Sequence, residues 1–104
     1  SFGRHHMVIT DAGCAGRFGS LVLDAELPVT PVSPRSQERC LYFHAGSCLE
    51  CVTRCPVDAL DSHRLDKQRC YRRLLDVAQG YEDLGLADVC GKCAIGPCSF
   101  ESAV

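Results

Sequence analysis

The stretch Cys40-Leu41-Tyr42-Phe43-His44-Ala45-Gly46-Ser47-Cys48-Leu49-Glu50-Cys51-Val52-Thr53-Arg54-Cys55-Pro56 sets the reading of the whole chain. Within it, Cys48-x2-Cys51-x3-Cys55-Pro56 supplies three of the four thiolates of the bacterial run C-x2-C-x2-C-x3-C-P, which binds iron–sulfur clusters. Ala45 stands where the first cysteine of that run belongs. Cys40 is the nearest thiol upstream and can reach back through the intervening loop. The spacing therefore predicts an iron–sulfur site with a displaced first ligand.

The remaining cysteines complete it. The chain has nine, and setting aside the isolated Cys14 leaves Cys40, Cys48, Cys51, Cys55, Cys70, Cys90, Cys93 and Cys98, two sets of four. In two-cluster ferredoxins the cysteine before the proline ligates the other cluster. By that rule Cys40, Cys48 and Cys51 take Cys98 as fourth ligand, while Cys55 joins Cys70, Cys90 and Cys93. Short x2 loops plus one distant cysteine let four thiolates converge on a [4Fe-4S] cube from different directions. Zinc is the plainer alternative, but it favours paired C-x2-C knuckles closing a tetrahedron. Only Cys48/Cys51 and Cys90/Cys93 are such pairs, and the Cys55-Pro56 step together with the unpaired Cys40, Cys70 and Cys98 suits cubes better.

A length of 104 residues implies one domain, or one domain with an extension. So short a chain buries a modest core, and metal–thiolate bonds would carry much of its folding free energy. Cysteine this dense would suit a secreted disulfide scaffold. The odd count, the metal-type spacing and the lack of a signal peptide before the structured part argue instead for a reducing, cytoplasmic setting. No run is long enough to span a membrane. A net charge of −2 points to neither a nucleic-acid nor a membrane partner.

Outward from the cysteine run, residues 1–34 read as a β-hairpin and a proline-rich connector, and residues 35–104 as the cysteine module. Met7-Val8-Ile9-Thr10 and Ser20-Leu21-Val22-Leu23 are expected strands, split by the glycine-rich loop Asp11–Gly19. Pro28, Pro31 and Pro34 predict an extended connector from Leu27 to Arg35. Ser36 is placed to cap a short helix reaching Cys40 and Tyr42, and Val57-Asp58-Ala59-Leu60 reads as a single helical turn. A helix is predicted over residues 66–79, capped by Asp66, with Tyr71, Leu74, Leu75 and Ala78 on one stripe. Ala87–Cys90 is expected as a second short helix, and Gly96-Pro97 as the turn that presents Cys98. The chain opens close to a strand and without a methionine, which reads as a fragment or as the C-terminal part of a larger protein.

Other features carry less. Cys14 reads first as a small buried or loop thiol, though its glycine-rich loop would also let backbone approach a cofactor. Gly13, Gly16 and Gly19 do not form a dinucleotide fingerprint. His5, His6, His44 and His63 read as surface or loop residues rather than ligands. Arg64, Lys67, Arg69, Arg72 and Arg73 form a basic stretch that reads as a solvated face before it reads as a docking site for an acidic electron partner or RNA. No Ser/His/Asp or Cys/His constellation and no paired carboxylates stand out, so the chain shows no self-contained catalytic site.

The segments Phe2-Gly3-Arg4-His5-His6-Met7-Val8-Ile9-Thr10 and Gly19-Ser20-Leu21-Val22-Leu23-Asp24-Ala25-Glu26-Leu27-Pro28, followed by the cluster run, resemble the C-terminal half of epoxyqueuosine reductase. That family and its relatives, the corrinoid reductive dehalogenases, join a cobalamin-binding, nitroreductase-like domain to a two-[4Fe-4S] ferredoxin module. The resemblance departs at Ala45, with Cys40 as the substitute, and at Cys90-x2-Cys93-x4-Cys98-Ser99, where the family has x3 and a proline. The upstream part holding most of the cobalamin pocket and the catalytic acid lies outside these residues. The resemblance thus implies electron delivery to a corrinoid in a parent or partner protein.

The expectation is an α+β chain, a small β-hairpin followed by a ferredoxin-like two-[4Fe-4S] module with short helices, that transfers electrons. Its expected partner is a redox protein or an upstream corrinoid domain, with no nucleic acid bound by this chain alone. The alternative reading is the electron-input fragment of a cobalamin-dependent epoxyqueuosine reductase-like or dehalogenase-like oxidoreductase. A zinc-stabilised binding module is the third.

Overall fold

Asp66 begins the longest regular element of the computed structural model, which describes residues 1–31 and 39–104. Its carboxylate accepts from the Arg69 backbone N–H at 2.9 Å, satisfying one of the donors a helix start leaves open. In chain order the helices are α1 (Leu41–Ala45), α2 (Glu50–Thr53) and α3 (Lys67–Gly80), followed by 3-10 turns at Glu82–Leu84 and Lys92–Ala94. The α3 helix thus follows its expected course and runs on through Gly80, with Tyr81 as its C-cap.

Several local expectations come out differently. Among the described residues there is no strand, only the isolated bridges Phe2–Val8, Thr10–Gly13 and Leu60–Leu65. Residues 7–10 and 20–23 do not pair. A two-stranded hairpin is marginal by itself, and Leu21 and Val22 lie 81% and 96% exposed, with no sheet face to bury against. The Pro34 end of the connector and the Ser36 cap lie outside the described residues. Cys40, in extended conformation, occupies the N-cap position of α1. Residues 56–57 form a turn rather than a helical turn, and the 3-10 turn falls at Lys92–Ala94 rather than over 87–90.

The glycine-rich loop finds its partner far along the chain. Cys14 N–H donates to Cys98 O at 2.9 Å and to Ser99 O at 3.0 Å, and Ala15 N–H donates to Ser99 O at 2.9 Å. Gly13 makes that approach possible: its φ is +83°, and a Cβ there would sit 2.2 Å from the Ser99 carbonyl oxygen. The loop therefore lies backbone to backbone on the turn that presents Cys98.

The core is correspondingly small. Ile9, Cys14, Cys40 and Ala94 form its buried centre, with Met7, Tyr42, Phe43 and Cys98 packed against it. Tyr42 and Phe43 meet edge to face at 5.4 Å. Residues from both ends of the chain thus share one core, and α2 packs against the Lys92–Ala94 turn. That contact brings Cys51 and Cys55 up to the C-terminal cysteines.

Candidate metal centre

Short elements hold the cysteines in place. Cys40 precedes α1, Cys51 lies buried within α2, and Cys55 follows directly on its C-cap, Arg54. Cys70 rides the first turns of α3, its N–H bonded to Asp66 O at 3.0 Å. Cys93 lies in the Lys92–Ala94 turn. Ser99 closes the next turn by donating its N–H to Gly96 O at 3.1 Å, and Cys98 is held inside it.

Two cavities collect these side chains. The larger, about 630 Å³, is lined by Cys55, Cys70, Cys90 and Cys93, with Leu60 and Arg73 beside them. The smaller, about 20 Å³, is lined by Cys40, Cys48, Cys51 and Cys98, with Cys93 reaching it too. The smaller space is narrow as it stands, and a multi-atom occupant would have to widen it. Cys93 lines both spaces. All nine cysteines carry free thiols.

The thiols raise one another's proton affinity. Burial, then the neighbouring Cys40, Cys48 and Cys93, pushes the Cys51 thiol up to about 11. Burial and then Cys55 and Cys90 raise the pKa of Cys70, and burial also raises those of Cys93 and Cys98. Such a pocket holds several bare thiolates poorly, and a metal bound there would have to displace their protons. One sulfur is already stabilised as an acceptor, since Ala59 N–H donates to Cys55 Sγ at 3.2 Å.

A further group escaped the sequence reading. His5 lies in a turn, as expected, but is 5% exposed rather than on the surface, and its Nε2 lies 3.5 Å from Cys98 Sγ and 3.6 Å from Cys14 Sγ. The two sulfurs are 3.7 Å apart. Burial lowers the His5 pKa, with His6 adding to it, and burial followed by Cys98 pushes Cys14 up to about 12. His5 and Cys14 are separated from Cys98 by most of the chain, and spacing could not have joined them. His6, His44 and His63 are exposed, as expected.

Two buried cation atoms flank the cavities. Arg4 is 7% exposed, lines the smaller space and lies 5.9 Å from the centre of the Phe43 ring, while its Nε has no hydrogen-bond partner. The Nε of Arg73, on the wall of the larger cavity, is likewise buried and unpartnered. Within the basic stretch Arg64, Lys67, Arg69 and Arg72 are exposed, Arg64 and Arg69 pairing with Asp61 and Asp66. Only Arg73 turns inward.

The described residues form a small, cysteine-rich chain, its regular elements helical, whose thiols line two spaces. Among known proteins the chain is similar to the epoxyqueuosine reductase of Xanthomonas campestris pv. campestris, 35% identical over 71 residues. The match takes in 65% of this chain and 18% of that enzyme. No protein-family model matches, and no solved structure matches. No helix among the described residues is long and apolar enough to cross a membrane.

Proposed function

We propose that this chain is an electron-transfer module of ferredoxin-like type, with one [4Fe-4S] cluster held by Cys40, Cys48, Cys51 and Cys98 and a second by Cys55, Cys70, Cys90 and Cys93. The observation that carries this reading is the lining of two cavities, one by Cys55, Cys70, Cys90 and Cys93 and the other by Cys40, Cys48, Cys51 and Cys98, with Cys93 reaching both. The donor chemistry fits: thiolates are the ligands of such cubes, and low dielectric plus N–H···S bonds tune them. When bound, each cube accepts or gives up one electron.

The chain's own residues do the rest. The four sulfurs of each set would release their protons to hold a cube, and the apolar wall of Leu60, Leu65, Leu74 and Ala94 would limit water in the larger cavity. Arg4 and Arg73 bring positive charge beside sites that become more negative on reduction. Cys51 within α2 and Cys55 just past its C-cap, Arg54, give the two sites a short covalent path.

A second reading has a specific observation behind it. The match to epoxyqueuosine reductase, together with the exposed apolar side chains Phe18, Leu21, Val22, Leu27 and Val29, favours an electron-input segment whose extended arm is covered by a larger parent enzyme. Joining the chain to the upstream residues of its gene product and finding bound corrinoid would support that reading.

The test is the iron and acid-labile sulfide content of anaerobically purified protein, with a visible spectrum before and after dithionite. About eight irons and eight sulfides with a brown colour that bleaches are expected. About two zincs, no sulfide and no colour would overturn the proposal in favour of a zinc module.

A further inference from the structure

We infer that His5 donates a hydrogen bond from Nε2 to the sulfur of Cys98 and so raises the reduction potential of the cluster held by Cys40, Cys48, Cys51 and Cys98; this rests on the proposed function. The loop Gly3–Met7 is shaped to present that ring. Gly3 N–H donates to Met7 O and His6 N–H donates to Gly3 O, each at 2.9 Å, while His6 takes a left-handed φ of 61°. The His5 imidazole lies flat against Gly3: a Cβ on that residue would fall 2.6 Å from Cε1 and 2.9 Å from Nε2. Only a residue without a side chain leaves room for the ring.

The tautomer follows from one backbone bond. Met7 N–H donates to His5 Nδ1 at 3.1 Å, so the Nδ1 lone pair is already in use. A neutral imidazole then carries its proton on Nε2. That proton lies between two sulfurs, Cys98 Sγ at 3.5 Å and Cys14 Sγ at 3.6 Å, with His5 and Cys14 both buried.

The same triangle would also suit a metal ion. Bonds of about 2.3 Å to sulfur and about 2.0–2.1 Å to nitrogen give tetrahedral edges of roughly 3.6–3.8 Å, close to the 3.5, 3.6 and 3.7 Å observed. An ion on Nε2, however, needs the lone pair there and the proton on Nδ1. That proton would face the Met7 N–H, donor against donor. The backbone therefore selects the hydrogen bond over the ion.

A donor aimed at a ligating thiolate draws charge off the sulfur and favours the reduced, more negative state of its cluster. His5 lines both cavities, but its ring bonds to Cys98, Cys14 and the Met7 N–H and to none of the Cys55 set, so the effect is directed at one cluster. Cys14 fills the remaining side of the triangle and shields the contact, its own sulfur lying 3.9 Å from Ala94 O.

The test is potentiometric titration of both electron paramagnetic resonance signals, with iron, sulfide and zinc assayed on the same samples, in the full chain, His5→Phe, His5→Gln and Gly3→Ala. His5→Phe removes the donor, and His5→Gln keeps an N–H near the Nε2 position. The expected result is one midpoint lowered in His5→Phe by about a tenfold change in reduced-to-oxidised ratio, ~59 mV for one electron. The other midpoint stays in place, His5→Gln restores the first, and Gly3→Ala, which displaces the ring, lowers it in the same direction. Should His5→Phe fail to hold iron, Gly3→Ala carries the decision. Unchanged midpoints in iron-replete variants would overturn the inference, as would one zinc per chain that His5→Phe releases. Wild-type protein without iron would overturn the cluster reading itself, a failure that the iron assay reports separately.

Discussion

The backbone N–H of Cys14 donates to the carbonyl oxygen of Cys98 at 2.9 Å, joining residues 84 positions apart. That bond and its neighbours at Ser99 tie the N-terminal loop to the turn carrying the last cysteine. The N-terminal segment is therefore part of the wall of the cysteine site. The first prediction concerns this seam. Gly13→Ala places a Cβ against backbone, 2.2 Å from Ser99 O and 2.4 Å from Ser99 C, at a φ that disfavours side chains. It should destabilise the fold by about 3 kcal/mol, read by anaerobic denaturant unfolding. Gly16→Ala, with nothing within 4 Å, serves as the control and should stay close to wild type.

Cys14 itself makes a second prediction. It is 2% exposed and packs in the core, and it lies outside both four-cysteine sets. Cys14→Ser should retain iron at the wild-type level. Loss of about four irons in that variant would make Cys14 a ligand and release one of the eight.

The Cys14 thiol also gives a pH dependence. Its pKa is raised from 9.0 to about 12, chiefly by burial. A group whose folded pKa lies above its unfolded value contributes stability below the unfolded pKa, and that contribution is lost as pH rises through the folded one. Wild-type protein should therefore weaken between about pH 9 and 12, and Cys14→Ala should lose less across that window. Thermal melts of both proteins across this range check the sign.

Asp66 behaves in the opposite sense. Its pKa is lowered, first by the hydrogen bond from the Arg69 backbone N–H. A depressed carboxyl contributes stability above its unfolded pKa, 3.8, and loses it as pH falls through the folded value. Helicity of α3 should decline on acidification below about pH 4. Asp66→Ala should remove that acid dependence and lower helicity at neutral pH, while Asp66→Asn should keep the helix, as circular dichroism would show.

How much of this was legible in the chain follows from the range of each interaction. The runs Cys48-x2-Cys51-x3-Cys55 and Cys90-x2-Cys93 are readable because they lie within short spacings, whereas the proposed division into two sets rests on the two-cluster ferredoxin rule. The Asp66 cap and α3 were readable for the same reason. The proximity of His5, Cys14 and Cys98 was not, since it depends on a loop crossing to the far end of the chain, and the pattern Gly3-Arg4-His5-His6 carries no local sign of burial. Gly13 could have been a signal, because a glycine beside a cysteine marks a place of close backbone approach. The expected hairpin failed for a different reason. β propensity reports fitness for a half-buried pleated surface, and Leu21 and Val22 have no such surface here.

The division of the ligands is the central claim, and electron paramagnetic resonance of dithionite-reduced Cys48→Ser and Cys70→Ser tests it most directly. Cys48→Ser should perturb one cluster signal and leave the other intact. Cys70→Ser should do the reverse, with each variant keeping the iron of the untouched set. If both substitutions disturb the same signal and spare the second, the two cavities do not hold the two clusters as assigned, and the account is wrong.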